Sequence, residues 1–256
     1  MRAIIPIPAF SDNYIWLLHD GRDAMLVDPG DAVPALAALT AERLRLRAIL
    51  LTHHHPDHIG GAAEIAAATG AEVFGPPGTA CGNIFHGLKD GDRIALQGPA
   101  LSLVVLAVPG HTQDHLAYHG EGLLFCGDTL FAGGCGRLFE GTPAEMLASL
   151  DRLAGLPEHT QVYCAHEYTL ANLRFARAAD SHNPNVAARA HREQLKRERG
   201  LPTLPSTISL ERATNPFLRC RDPELIRAAS ETAGCALSDP VAVFTALRAW
   251  KDRFPA

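Results

Sequence analysis

The residues best suited to chemistry lie in one short segment, Thr52–Gly61, which reads THHHPDHIGG. Three of its four imidazoles, those of His53, His55 and His58, and the carboxylate of Asp57 have the spacing of candidate metal ligands. Imidazole nitrogens and carboxylate oxygens are donors that zinc, iron and manganese accept in proteins. The first prediction from this sequence is therefore a metal-binding loop.

The spacing within the segment predicts that it serves two metal ions. The apolar run Ala48–Leu51 indicates a strand that leads into the loop, and in an extended chain His53 and His55 point the same way. A helix predicted over Ile59–Ala68 would carry Asp57 and His58 sideways, towards a second ion. The alternative is chance clustering, because the chain has 13 histidines in 256 residues. Further donors at other strand ends favour the metal site.

Three such donors each follow a predicted strand. They are His111 after Leu101–Val108, Asp128 after Leu123–Cys126, and His166 after Gln161–Cys164. Active sites are commonly assembled from loops that leave one edge of a rigid sheet. We therefore expect these side chains to join the histidine-rich loop.

The combined donor set exceeds the four positions of a tetrahedral zinc site, so we predict two divalent ions. The predicted ligands are His53, His55 and His111 for one ion and Asp57, His58 and His166 for the other. Asp128 arrives alone from its strand and is predicted to bridge the two ions. Asp57 and Asp128 are also the predicted catalytic residues. Zinc is the expected metal, and iron or manganese would suit the same donors.

The predicted secondary structure that positions these donors changes along the chain. Short β-type runs alternate with helical patterns as far as about residue 172, which favours an α/β sandwich with sheets inside and helices outside. Helical patterns dominate afterwards, broken by the proline-containing segment Gly200–Pro205. We predict a catalytic domain over residues 1–172 and a smaller α-helical, substrate-binding domain over residues 173–256.

The overall composition narrows the class of protein. The formal net charge is −5, which gives no indication of nucleic-acid binding. The six cysteines show no C-x-x-C spacing, and the N-terminal segment is too broken by proline for a signal sequence. No apolar run approaches the ~20 residues of a membrane span. We expect a cytoplasmic, monomeric enzyme that acts on a small molecule.

Together these motifs carry a family resemblance. The loop, followed by Gly110-His111-Thr112, Gly127-Asp128-Thr129 and Ala165-His166-Glu167, resembles the metallo-β-lactamase superfamily. The stretch 134–142 (GCGRLFEGT) and the helical C-terminal part resemble hydroxyacylglutathione hydrolases, the glyoxalase II family. Smaller matching motifs are Pro8–Tyr14, Val27–Gly30, Phe125–Phe131, Asn215–Arg219 and Leu247–Phe254. The resemblance implies an αββα metallo-β-lactamase sandwich with a C-terminal α-helical domain.

The same resemblance implies a reaction. Members hydrolyse the thioester S-D-lactoylglutathione to glutathione and D-lactate, the second step of methylglyoxal degradation, with a metal-bridging hydroxide as the expected nucleophile. The implied substrate contacts are Arg137, Tyr168, Arg248 and Lys251. The alternative for the last two is an exposed helix end whose cations favour the helix dipole.

Two positions depart from the pattern of many relatives. Asp114 stands where many have glycine, and Phe139 stands where some have tyrosine. We expect Asp114 to lie at the surface and Phe139 to remove one hydroxyl from the thiol-side pocket. His54 and His115 receive no metal in this assignment, and strand alternation predicts that His54 points away from the first ion.

Other activities remain open on the same scaffold. A lactonase or a broad thioesterase would use the same metals and leave the C-terminal cations idle. A persulfide dioxygenase would use a single iron with two histidines and one aspartate, so the second donor set argues against it. A non-catalytic binding module would be expected to have lost ligands, and none is missing from this pattern.

Overall fold

The computed structural model describes residues 2–82 and 85–255; residues 1 and 256, which end the two predicted domains, lie outside this range. The chain divides into two compact units. Unit 1 comprises Met1–Ala107, Asp114–Gly127 and Tyr163–His166, and unit 2 comprises Val108–Gln113, Asp128–Val162 and Glu167–Ala256. Since both units are discontinuous in sequence, they do not correspond to the predicted domains, whose boundary stays a prediction.

The first sheet of unit 1 takes its strands in chain order. They are β1 (Ala3–Ala9), β2 (Asn13–His19), β3 (Asp23–Val27), β4 (Arg45–Leu50), β5 (Glu72–Gly75) and β6 (Phe85–Gly87). Strands β1 to β3 pair antiparallel, and β3 to β6 pair parallel. Parallel neighbours need a crossover, and helices supply it after β3 and β4.

These crossover helices cover one face of the first sheet. They are α1 (Ala32–Ala41), α2 (Pro56–Ile59) and α3 (Ala62–Thr69). Asp31 caps α1 by accepting the amide N–H of Val33. Leu39 and Ile65 belong to the same buried cluster as Leu26 and Ile49 of the sheet. This packing fixes β4, which leads into the histidine-rich loop.

The predicted single helix Ile59–Ala68 is wrong at its N-terminal end. The chain instead forms α2, then a break at Gly60 and Gly61, then α3. A Cβ atom at Gly60 would lie 2.7 Å from the carbonyl oxygens of Gly30 and Pro56, so the backbone approaches too closely for any larger residue. Asp57 and His58 therefore lie within the short helix α2.

The second sheet consists mainly of antiparallel pairs. Its strands are β7 (Arg93–Gln97), β8 (Ala100–Ala107), β9 (Leu116–Gly120), β10 (Leu123–Gly127), β13 (Gln161–Cys164) and β14 (Ser206–Thr207), in the order β14-β13-β10-β9-β8-β7. A separate hairpin joins β11 (Leu130–Phe131) to β12 (Gly134–Cys135). The strands predicted at Leu101–Val108, Leu123–Cys126 and Gln161–Cys164 are confirmed to within one residue. Strands β6, β7, β11, β12 and β14 were not predicted, because they are short or weakly patterned.

The two sheets contact each other within unit 1. The ring of Trp16 on β2 packs edge-on against Tyr163 of β13, with 4.9 Å between centroids. The Tyr118 hydroxyl of β9 donates a hydrogen bond to the carbonyl oxygen of Leu51, the residue after β4. Unit 1 therefore has helix, sheet and sheet in successive layers.

Unit 2 is mostly helical. Its helices are α4 (Pro143–Ala154), α5 (Thr169–Ala179), α6 (Pro184–Glu198), α7 (Ile208–Thr214), α8 (Pro223–Ala233) and α9 (Pro240–Asp252). Several begin at proline directly after a side chain that caps the helix, as Asp239 does for α9. The rings of Phe175, Phe217 and Phe244 form a chain of contacts in its core. Helix α7 was missed from the sequence, since it is only seven residues long.

No helix in the described part of the chain is long and apolar enough to cross a membrane.

Candidate metal centre

The histidine-rich loop is anchored at its start by a buried aspartate. Asp28 follows β3 and accepts two hydrogen bonds from Thr52, at 2.8 Å from the backbone N–H and 2.7 Å from the hydroxyl. Asp28 has a positive φ of 51°, a conformation that aspartate adopts more readily than most residues. The loop therefore leaves β4 in a fixed direction.

His53 and His55 turn their rings towards each other, although the chain bends at His53 and His54 instead of continuing as the predicted extended run. His53 Nε2 lies 3.0 Å from His55 Nδ1, and the other nitrogen of His53 lies 3.0 Å from the Thr52 hydroxyl. Two nitrogens bound to one tetrahedral zinc at 2.0–2.1 Å would lie about 3.4 Å apart. The pair therefore fits two donors that converge on one ion.

Asp57, His58 and His166 form a second group, in which the ligand atoms all lie within 4.8 Å of one another. Asp57 Oδ2 is 3.4 Å from His58 Nε2 and 3.5 Å from His166 Nε2. His58 and His166 are buried. The structure thus brings together the three residues that the sequence assigned to one ion.

The Nδ1 atoms of His58 and His166, the two imidazoles of this group, each lie beside a carboxylate. Asp28 Oδ2 lies 3.0 Å from His58 Nδ1, and Asp12 Oδ1 lies 2.7 Å from His166 Nδ1. Such partners fix the ring orientation and the tautomer, which leaves the other nitrogen to face a metal. Asn13 donates a 3.0 Å hydrogen bond to Asp57 Oδ2 and orients that carboxylate as well.

Sequence reasoning missed Asp12, Asn13 and Asp28 as parts of the site. A signal was present, since all three lie in motifs that carried the family resemblance, Pro8–Tyr14 and Val27–Gly30. Their roles depend on contacts between residues far apart in the chain, which no local spacing reveals.

The position of His166 follows from backbone pairing. The N–H of Tyr14 donates to the carbonyl oxygen of Ala165 at 2.7 Å, and Asn13 forms an isolated β-bridge with His166. The N–H of Ala165 in turn donates to Gly127 at the end of β10. These bonds place His166 beside the start of β2.

Unit 2 contains the remaining two predicted ligands, His111 and Asp128. His111 Nε2 lies 3.5 Å from Asp128 Oδ2, while its Nδ1 donates to the carbonyl oxygen of Arg137 at 2.8 Å. A Cβ atom at Gly136 would lie 2.0 Å from the carbonyl oxygen of Asp128, so only glycine allows this approach. The two side chains are therefore held as a pair with one nitrogen and one oxygen side by side.

The unassigned polar residues have partners of their own. His54 Nδ1 lies 3.0 Å from Asp114 Oδ1, and both side chains are partly exposed. The buried ring of His115 stacks on His53 at 4.6 Å, which supports the orientation of that ligand. Phe139 is exposed, and its ring lies 5.1 Å from the His111 ring.

The predicted substrate residues all lie in unit 2, in differing environments. Arg137 and Lys251 expose part of their side chains, and Tyr168 packs its ring edge-on against Phe131. Arg248 is buried: Nη1 donates to the carbonyl oxygen of Cys135 at 3.0 Å, and Nη2 pairs with Asp252 at 2.9 Å.

Burial, followed by the charges of Arg248, Arg174 and Arg137, lowers the pKa of Lys251. These side chains are thus close enough to repel one another. A group of cations of this kind would favour an anionic ligand, because a carboxylate would relieve their mutual repulsion.

The cysteines are poor candidates for a nucleophile. All six are free thiols. Burial raises the pKa of Cys135 to about 11 and that of Cys220 to about 12, and a thiol reacts as its thiolate. The clustered histidine and aspartate donors are better placed to supply the chemistry.

Comparison with known proteins now decides the family. Residues 9–166 match the metallo-beta-lactamase superfamily, and residues 167–254 match the hydroxyacylglutathione hydrolase C-terminus. The hydroxyacylglutathione hydrolase of Alkalilimnicola ehrlichii is 54% identical over 255 residues, which cover 99% of this chain and 100% of the relative. The chain belongs to the hydroxyacylglutathione hydrolase family.

Solved structures confirm the fold of this hydroxyacylglutathione hydrolase family member. ETHE1 from Myxococcus xanthus aligns with a TM-score of 0.65 at 26% identity over 98% of each chain. TTHA1623, solved in a di-iron-bound form, aligns with a TM-score of 0.58 at 27% identity, covering 84% of this chain and 100% of its own. The predicted metallo-β-lactamase fold with a C-terminal helical region is confirmed. The superfamily and the clustered histidines and aspartates also support divalent metal binding.

Proposed function

We propose that this protein hydrolyses the thioester bond of S-(2-hydroxyacyl)glutathione, with S-D-lactoylglutathione as substrate and glutathione and D-lactate as products. This reaction is the second step of methylglyoxal detoxification. The observation that carries the proposal is the group formed by Asp57, His58 and His166, in a chain that matches named hydroxyacylglutathione hydrolases over 99% of its length.

We propose two divalent ions per chain, with zinc expected. One would be held by His53, His55 and His111, the other by Asp57, His58 and His166, with Asp128 shared. Chain connectivity supports His111 and Asp128 of unit 2 as metal ligands, because Asp128 follows β10 directly and His111 lies shortly after β8. The di-iron form of TTHA1623 supports the number of ions.

Bound divalent ions would supply an acidified water as nucleophile and would polarise the thioester carbonyl. The chain's own residues orient the proposed metal ligands. Asp12 and Asp28 hold the imidazoles of His166 and His58, and Asn13 orients Asp57. A thiol of pKa about 8.5 leaves as thiolate without a strong general acid, so no such acid is required of the chain.

The glutathione part of the substrate would bind to the cations of unit 2. Glutathione carries carboxylates, and Lys251 and Arg137 present partly exposed charges. Arg248 adds positive charge from a buried position, while Tyr168 offers its phenol. We propose residues 173–256 as the main substrate-binding region. The cytoplasmic location and monomeric state stay predictions from the sequence.

The test is hydrolysis of S-D-lactoylglutathione by the purified chain, with metal content measured on the same sample. We expect turnover with about two metal ions per chain. The variant Asp57→Ala should lose activity and metal, whereas Asp31→Asn should retain both, since Asp31 only caps α1. Turnover of lactones or unrelated thioesters, but not of this substrate, would contradict the proposal in favour of another hydrolase of the same fold. A single iron without turnover would favour the dioxygenase alternative.

A further inference from the structure

The hairpin formed by β11 and β12 is held by polar side chains from the helices of unit 2. Each backbone position from Phe131 to Cys135 has a hydrogen bond to such a side chain. Asn215 donates to Phe131 O (3.2 Å) and Gly134 O (2.8 Å), Asn172 to Ala132 O (3.1 Å), Arg248 to Cys135 O (3.0 Å), and Glu211 accepts from Gly133 N (2.8 Å).

The need for these contacts follows from the length of the hairpin. Each strand has only two residues, so the ladder between them can pair only a few of the hairpin's backbone groups. Phe131 and Gly134 are buried, and a buried carbonyl or N–H must be paired to avoid a large desolvation cost. Side chains from α5, α7 and α9, and from the residue after α7, supply that pairing.

Glu211 is the centre of this arrangement and is fully buried. One carboxylate oxygen accepts from Gly133 and from Asn215 at 3.1 Å; the other accepts from Arg189 at 2.6 Å and from the Ser206 hydroxyl. Arg189 also donates to the Thr214 hydroxyl at 2.6 Å. Because Glu211 has fixed donors on both oxygens, its position relative to the hairpin is tightly defined.

The hairpin leads directly into two residues that contact the metal donors of unit 2, Gly136 and Arg137. At its exit, the N–H of Gly136 donates to Thr129 at 3.2 Å, and Gly136 packs on the backbone of Asp128. The next residue, Arg137, accepts the hydrogen bond from His111 Nδ1. A shift of the hairpin would therefore move Asp128 and the partner of His111 together.

We propose that Asn172, Glu211 and Asn215 are positioning residues that set the geometry of the His111–Asp128 pair through this hairpin. The proposal rests on the assignment of His111 and Asp128 as metal ligands under the proposed function. It gives a role in the site to the motif Asn215–Arg219, which the sequence analysis recognised only as part of the family resemblance.

The test compares Asn215→Ala and Asn172→Ala with a matched control, Asn183→Ala. Asn183 also donates a side-chain hydrogen bond to a backbone carbonyl of unit 2, that of Ala213 at 3.0 Å, and its other side-chain hydrogen bonds join it to Asp180 and Asn185. Zinc affinity of the full chain is measured by competition with a chromophoric chelator, and Tm is measured on the metal-free chain.

We expect Asn215→Ala and Asn172→Ala to weaken zinc binding about ten-fold, at the lower end of the loss seen when partners of metal ligands are removed. Asn183→Ala should lower Tm to a similar degree and leave zinc affinity unchanged. In steady-state hydrolysis, the two hairpin variants should lose kcat with KM retained, because the pair they position acts at the reacting centre.

Unchanged zinc affinity in both hairpin variants, or an equal loss in Asn183→Ala, would overturn the positioning role. If Asn215→Ala fails to fold, Asn172→Ala decides alone, since it removes a single hydrogen bond. A wild-type chain that binds zinc but does not hydrolyse the thioester would contradict the proposed function, and the zinc affinities would still support or overturn the inference.

Discussion

Asp28 Oδ2 lies 3.0 Å from His58 Nδ1, and the same oxygen accepts a hydrogen bond from the Thr52 hydroxyl at 2.7 Å. One buried carboxylate therefore fixes both the start of the histidine-rich loop and the orientation of an imidazole six residues later. It does so from the end of a neighbouring strand, β3.

Replacement of Asp28 tests this relationship directly. Asp28→Asn keeps the size and tolerates the positive φ, but its amide cannot serve both partners as a charged acceptor. We expect a 10- to 100-fold loss of zinc affinity, roughly the range for such partners. Chelator competition measures it, with Asp31→Asn as the control of equal chemistry outside the site. Wild-type affinity in Asp28→Asn would show that His58 needs no carboxylate partner.

Asp128→Ala should remove both ions, because this carboxylate is the proposed bridge between them. Metal analysis of the purified variant, after dialysis against metal-free buffer, gives the number of ions per chain. Two ions per chain in Asp128→Ala would refute the bridge. One remaining ion would assign Asp128 to a single site.

Lys251→Met should raise KM for the glutathione thioester with little change in kcat, because the proposed contact is remote from the reacting bond. Methionine keeps the length of the side chain but removes the ammonium group, which lies 5.8 Å from the centroid of the Phe175 ring. Arg253→Met, an exposed residue at the C-terminal cap of α9, is the control. An unchanged KM in Lys251→Met would return this residue to a purely structural role.

The pH dependence of KM provides an independent check on Lys251. Its pKa lies below the usual 10.5, first because of burial and then because of neighbouring arginines. The cation is present below the lowered pKa and is lost as pH rises through it. We expect wild-type KM to rise in alkaline solution at a lower pH than an ordinary lysine would give. The rise should be absent from Lys251→Met; a parallel rise in both would assign it to another group.

Arg189→Met should strongly destabilise the protein, since it leaves Glu211 as a buried charge that has lost its ion-pair partner. Removing one partner of a buried pair typically costs about 3–5 kcal/mol. Urea unfolding of the metal-free chain measures the free energy. Arg227→Met on α8 is the control, because its ion pairs with Glu224 and Glu231 are exposed on both sides and such pairs contribute only about 0–1 kcal/mol. Equal, small losses in both variants would contradict a structural role for the buried pair.

Local patterns predicted much of the fold and part of the site. The period of apolar residues located most strands and helices, and the spacing of His53, His55, Asp57 and His58 was enough to indicate metal donors. One helix boundary was not predicted: α2 and α3 are separated by Gly60 and Gly61, where other backbone approaches too closely for a side chain.

The sequence by itself determined which residue types were available as ligands and that they lie at strand ends, because both are local properties of the chain. Only the tertiary structure decided their partners. His166 meets Asp12 across 154 positions, and Glu211 meets Gly133 across 78. The physical reason is that a buried polar group must find a hydrogen-bond partner wherever the packing of sheets and helices provides one, and sequence distance places no limit on that choice.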